Sequence, residues 1–84
     1  MPKPTSISGK KNLISQNLIE IRKQKGLSQR ALARDLQLAG YDIDKNVITR
    51  IETGKRYVTD IELAALCKVL HINMDVLIEK DAEI

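Results

Sequence analysis

The chain has 84 residues, enough for one small core but not for the walls of a deep catalytic pocket. Phe and Trp are absent, so the core must come from Leu, Ile, Val and Ala, a set that suits packed helices better than a sheet. The net charge of +3 hides an asymmetry: Met1–Val58 holds 12 basic against 5 acidic residues, a net of +7, while Thr59–Ile84 holds 2 against 6, a net of −4. Such a division points to a polyanionic partner on one side of the molecule.

Residues 1–11 contain both prolines, Gly9 and three lysines, and read as a flexible basic arm in front of the domain. The domain itself is expected over residues 12–79, with 80–84 a short tail. A first helix is predicted from about Asn12 to Lys25, with Ile14, Leu18, Ile21 and the stem of Lys25 in one stripe. Gly26 stops it. Ser28 is the expected N-cap of a second helix that begins at Gln29 and ends near Leu38. Gly40-Tyr41-Asp42 then marks a loop.

A third helix should start after Asp44 and end before Gly54. At about 100° per residue, Val47, Ile48 and Ile51 share one arc, and Lys45, Asn46, Thr49 and Arg50 share the opposite one. One face is thus purely apolar, and the other offers an ammonium, an amide, a hydroxyl and a guanidinium. Thr59-Asp60-Ile61-Glu62 has the form of a capping box. It opens a fourth helix with Leu63, Leu66, Cys67 and Leu70 inward. A short fifth helix runs from an N-cap at Asn73 through Met74 and Leu77 to about Glu79, and Met74 and Leu77 are its expected core residues.

The stretch Leu27-Ser28-Gln29-Arg30-Ala31-Leu32-Ala33, followed by Val47-Ile48-Thr49-Arg50-Ile51-Glu52-Thr53-Gly54-Lys55-Arg56, closely resembles the phage repressor/Cro type of helix-turn-helix protein (XRE-like). Leu63-Ala64-Ala65-Leu66 and Asn73-Met74-Asp75-Val76-Leu77 continue the resemblance, which covers residues 14 to 78. It implies an all-α fold, a compact five-helix bundle of the lambda-repressor-like DNA-binding kind. It also implies roles. Gln29 resembles the glutamine that meets a DNA phosphate, and Lys55 and Arg56 resemble loop residues that approach the backbone. Lys45, Asn46 and Thr49 match positions that enter the major groove, with Arg50 at the edge of that face. Arg22 and Glu52 match a pair that ties helices 1 and 3 together. The sequence departs from the pattern at residues 37–43, about five residues longer than a tight turn between helices 2 and 3. Either helix 2 is extended, or the loop bulges with Leu38, Tyr41 and Ile43 against the core. His71 stands where the pattern often has a glycine.

The residue chemistry fits those roles. Asn46 can pair bidentately with adenine, Lys45 can donate to guanine, and Thr49 can offer a hydroxyl or a methyl to a base edge. Gln29, Lys55 and Arg56, with Lys10 and Lys11 as lesser contributors, supply phosphate contacts that hold the protein on the duplex. A few contacts from one domain give partial specificity, which argues for a homodimer formed through helices 4 and 5 or the tail. Val76 and Ile78 form either a contact patch for that purpose or ordinary scattered surface hydrophobes.

Cys67 is the only cysteine. It excludes an internal disulfide and multi-cysteine zinc sites, and reads as a small core residue. His71 reads as a helix-end residue. No nucleophile–base pair, carboxylate dyad, metal cluster or phosphate loop is recognisable, so no enzyme activity, cofactor or metal is expected. No apolar run approaches the ~20 residues of a membrane span, and the N-terminus lacks the apolar stretch of a secretory signal. The expected location is the cytoplasm, with the nucleoid. These readings converge on sequence-specific binding of double-stranded DNA by a transcriptional regulator of repressor type. The alternative is an antitoxin or adaptor, a protein-interaction module on the same fold.

Overall fold

A computed structural model describes residues 9–79. Five α-helices follow in order: α1 (Ser15–Gln24), α2 (Gln29–Leu38), α3 (Lys45–Glu52), α4 (Asp60–Leu70) and α5 (Met74–Leu77). No strand occurs among the described residues. None of these helices is long and apolar enough to cross a membrane.

The predicted stripes converge on one core. Ile14, Leu18 and Ile21 meet Leu32, Ala33 and Leu36 of α2, and Ile48 and Ile51 of α3. Ala65, Leu66 and Leu70 of α4 and Leu77 of α5 close it. Lys25 does not extend the α1 stripe, because the helix ends one residue earlier and the side chain is exposed. Met74 is likewise 43% exposed, so Leu77 is the only residue of α5 that is buried.

The helix starts follow the side chains at their caps. Ser28 Oγ accepts from the Ala31 N–H at 3.0 Å, and Asp44 Oδ1 from the Val47 N–H at 2.9 Å. Thr59 and Glu62 form the full reciprocal box. Asn73 makes no side-chain cap bond. At the other end of α4, His71 adopts a left-handed conformation (φ 56°) that a glycine adopts without steric cost. The Ile72 N–H then bonds the Cys67 carbonyl at 3.0 Å, which satisfies an otherwise open helix-end acceptor.

The long α2–α3 connection is resolved by the loop rather than by a longer helix. After Leu38 the chain turns through Gly40 (φ 96°), and the Tyr41 N–H returns to the Leu36 carbonyl at 2.9 Å. Ile43 is buried and Tyr41 packs at the margin of the core. Leu38, expected inside with them, is 80% exposed. Ile43 thus anchors the far end of the loop just before the Asp44 cap, and α3 starts from a fixed point.

The two ends of the domain are joined. The Glu79 N–H bonds the Leu13 carbonyl at 2.6 Å. Its carboxylate accepts from the Gln16 N–H at 2.7 Å and the Ser15 hydroxyl at 3.3 Å. Helix α1 has no side-chain cap of its own, so a residue from the far end of the domain supplies one. Two residues of the expected arm, Lys10 and Lys11, meet the domain. The Lys11 N–H bonds the Gly54 carbonyl at 2.9 Å, and Lys10 lies 3.7 Å from Glu79. Residues 1–8 of the arm and the tail 80–84 lie outside the described residues.

Candidate nucleic-acid interface

Helix α3 divides as its sequence pattern requires. Ile48 and Ile51 have no solvent exposure and Val47 is half-buried, whereas Lys45, Asn46 and Arg50 are exposed on the opposite side. Burying two isoleucines fixes the rotation of the helix about its axis, since turning it would expose them at about 1.5–3 kcal/mol each.

A polar chain fixes the remaining freedom. Arg22 of α1 grips Glu52 of α3 through two bonds, Nε to Oε2 at 2.7 Å and Nη2 to Oε1 at 3.1 Å. Its Nη1 donates to the Leu27 carbonyl at 2.9 Å. Both residues are buried. Glu52 Oε1 also accepts from Gln29 Nε2 at 2.8 Å, and Gln29 Oε1 accepts from the Thr49 hydroxyl at 3.0 Å. The sequence Arg22–Glu52–Gln29–Thr49 therefore stitches α1, α3 and the first turn of α2 together. Buried charge is tolerable here because the carboxylate and guanidinium fill each other's bonding capacity.

The expected contact residues fare differently. Lys45, Asn46 and Arg50 stand together on the exposed face of α3, and Lys55 is exposed beyond Gly54. Gln29 and Thr49 flank that face but spend part of their bonding capacity inside the protein. Arg56, expected to approach a DNA backbone, is instead closed on Glu62 by two bonds of 2.8 and 2.9 Å, with a third to the Tyr57 carbonyl at 2.9 Å. The Glu62 hydrogen bond raises the Arg56 pKa above its ordinary value, against a smaller opposing effect of burial. The same bond, chiefly, holds the Glu62 carboxyl below the usual glutamate value. Burial pushes the Cys67 thiol up, which suits a space-filling residue rather than a reactive one.

Two positioning residues escaped the sequence pattern. Asn12 is buried, and its Nδ2 donates to the carbonyls of Ile51 (3.0 Å) and Arg56 (2.9 Å). It thereby pins the end of α3 to the loop that follows. Glu79 does the same for α1. Both act on backbone atoms far away in sequence, so neither leaves a local signature.

Residues 18–77 match the model of the helix-turn-helix family HTH_3. The chain belongs to this family. Solved structures similar to this helix-turn-helix protein include the restriction-modification controller protein C.AhdI from Aeromonas hydrophila. It is 31% identical with a TM-score of 0.67, over 76% of this chain and 86% of that one. The DNA-binding domain of BldD is 25% identical with a TM-score of 0.68, over 81% and 92% of the two chains. The clp gene regulator ClgR from C. glutamicum is 25% identical with a TM-score of 0.67, over 80% and 82%. No curated protein sequence matches. The matched range spans α2, α3 and the 39–44 loop that connects them.

Proposed function

We propose that this helix-turn-helix protein is a transcriptional regulator, of repressor type, that recognises a double-stranded DNA site by inserting the exposed face of α3 into the major groove. The observation that carries the reading is the fixed division of α3: an apolar face locked in the core, and Lys45, Asn46 and Arg50 on the solvent side. Asn46 and Lys45 read bases by bidentate bonding, and Arg50 serves a base or a phosphate at the edge of the helix. Lys55 binds phosphate from the loop. Gln29 does so from the first turn of α2, where the second hydrogen on Nε2 remains after the bond to Glu52. Arg56 leaves this set, because its guanidinium holds α4 to the loop.

A homodimer completes specificity, with half-sites about one helical turn apart. Support for a second copy comes from Ile61, Met74 and Val76, which are 68%, 43% and 51% exposed on α4 and α5. Ile78 contributes less than Val76, since it packs partly against the core. A toxin or adaptor partner would use the same residues.

Oligonucleotide selection followed by gel shift across salt concentrations tests the proposal. The expected result is one enriched motif with two-fold symmetry. Asn46→Ala should cut affinity for that motif by roughly tenfold or more while leaving random DNA nearly unaffected. Lys55→Ala should weaken both alike and reduce the slope of log affinity against log salt by about one. Absence of DNA binding at low salt would favour the protein-interaction alternative.

A further inference from the structure

We infer that Thr49 reads DNA solely as a hydrogen-bond acceptor, selecting a base that turns an exocyclic amine toward it. The inference rests on the insertion of α3 proposed above and adds a polarity to one of its contacts.

A threonine hydroxyl has one proton and two lone pairs, and in isolation it can donate to guanine or thymine oxygens or accept from adenine or cytosine amines. At Thr49 that choice has been removed. Its Oγ1 lies 3.0 Å from Gln29 Oε1 and 3.0 Å from the Lys45 carbonyl oxygen. The carbonyl is an acceptor and nothing else. Gln29 is a different matter, because an amide can be turned end for end to present either oxygen or nitrogen.

Glu52 settles the orientation of that amide. Its carboxylate takes two bonds from the Arg22 guanidinium, so it carries only lone pairs toward Gln29. A reversed amide would set oxygen against carboxylate oxygen at the 2.8 Å now bridged by Nε2–H. The amide nitrogen must therefore face Glu52 and the amide oxygen must face Thr49. Both neighbours of the Thr49 hydroxyl are then acceptors, and its single proton is consumed whichever of them takes it. What Thr49 can offer outward is a lone pair and its methyl group.

The buried Arg22–Glu52 pair thus reaches the reading face through the orientation of one amide. Adenine N6 and cytosine N4 carry protons that such an acceptor can bind, whereas guanine O6 and N7 and thymine O4 carry none.

The test uses the full chain and the motif obtained by selection. Each base in a half-site is replaced by an analogue lacking one major-groove group: purine for adenine, 2-pyrimidinone for cytosine, 7-deazaguanine or 2-aminopurine for guanine, and uracil or 5-methyl-2-pyrimidinone for thymine. Affinities are measured for the native protein, Thr49→Val and Thr49→Ser. The expected result is one position where removing the amine costs the native protein and Thr49→Ser roughly three- to tenfold. Thr49→Val should already have lost that amount and be insensitive to the same replacement. Circular dichroism melts check that Thr49→Val remains folded, and unchanged affinity for random DNA checks that α3 still docks. Coupling of Thr49 to a guanine or thymine acceptor overturns the inference. So does coupling to the thymine methyl alone, or to no base group at all. Failure of selection to yield any motif would instead overturn the insertion of α3 on which the inference stands.

Discussion

Among the described residues, two arginine–glutamate pairs of nearly equal geometry lie in unlike surroundings. Arg22–Glu52 sits at the meeting of α1, α2 and α3, with side chains 11% and 4% exposed and a shortest contact of 2.7 Å. Arg56–Glu62 sits where the loop after α3 enters α4, at 28% and 17% exposure and 2.8 Å. Contact distance alone would rank them as equals. Burial separates them. In the first, each charge has been taken from water and depends on the other, with Gln29 and the Leu27 carbonyl filling further sites. In the second, water can take the place of a lost partner. The inner pair governs where α3 sits, and the outer one trims the start of α4.

The largest effect should follow from breaking the inner pair. Glu52→Gln leaves the Arg22 guanidinium in a buried site without its counter-charge, which should cost about 3–5 kcal/mol in urea or thermal unfolding. Glu62→Gln, the matching change at the outer pair, should cost a small fraction of that. Equal losses would show that burial does not distinguish the two pairs and would dismantle the comparison.

Gly54 links the two regions, following α3 and preceding Arg56. It has φ of +74°, and a Cβ built there would meet Lys10 Cγ at 2.9 Å. Alanine at this position would have both a left-handed backbone and a crowded neighbour. The left-handed conformation should cost about 1–2 kcal/mol, and displacement of the Lys10 stem adds to it. Denaturation of Gly54→Ala should therefore fall between the inner-pair and outer-pair variants. If it were indistinguishable from the native protein, the N-terminal segment would not be held against the loop.

The same contrast explains what could be read from the sequence. Periodic apolar residues such as Leu18, Leu32, Ile48 and Leu66 announce their burial, and Ser28, Asp44 and Thr59 announce helix starts, because both rest on spacing along a single segment. The division of α3 was legible for the same reason, and Lys45, Asn46 and Arg50 stand exposed as expected. Leu38 stands outside the core that Ile43 and Tyr41 reach, since the length of a connection does not say which of its apolar residues it turns inward. The resemblance marks Arg56 as a loop cation but does not reveal that it closes on a partner six residues on. The side chains of Asn12 and Glu79 bond backbone atoms 39 to 63 residues away, which no local pattern encodes. The inward turn of the Thr49 proton needed all four members of the chain to be placed.

The smallest expected effect concerns the outer pair and its dependence on pH. Glu62 accepts from Arg56 and from the Thr59 N–H, and its pKa in the folded protein lies below the ordinary glutamate value. A lowered carboxyl stabilises the fold only while it is ionised. Its contribution is therefore complete above the ordinary glutamate range and is lost as the pH falls through the lowered folded value. Because the pair is partly solvated, it should amount to about 0.2–1 kcal/mol at neutral pH. Glu62→Gln keeps an acceptor for the Thr59 N–H but removes the charge, so the native-minus-variant difference isolates the pair from every other carboxylate. That difference should hold steady from neutral pH down to the ordinary glutamate range and shrink toward zero below it. A difference that grows as the solution becomes more acidic would mean that Arg56 and Glu62 do not stabilise each other, and that α4 is started by Thr59 alone.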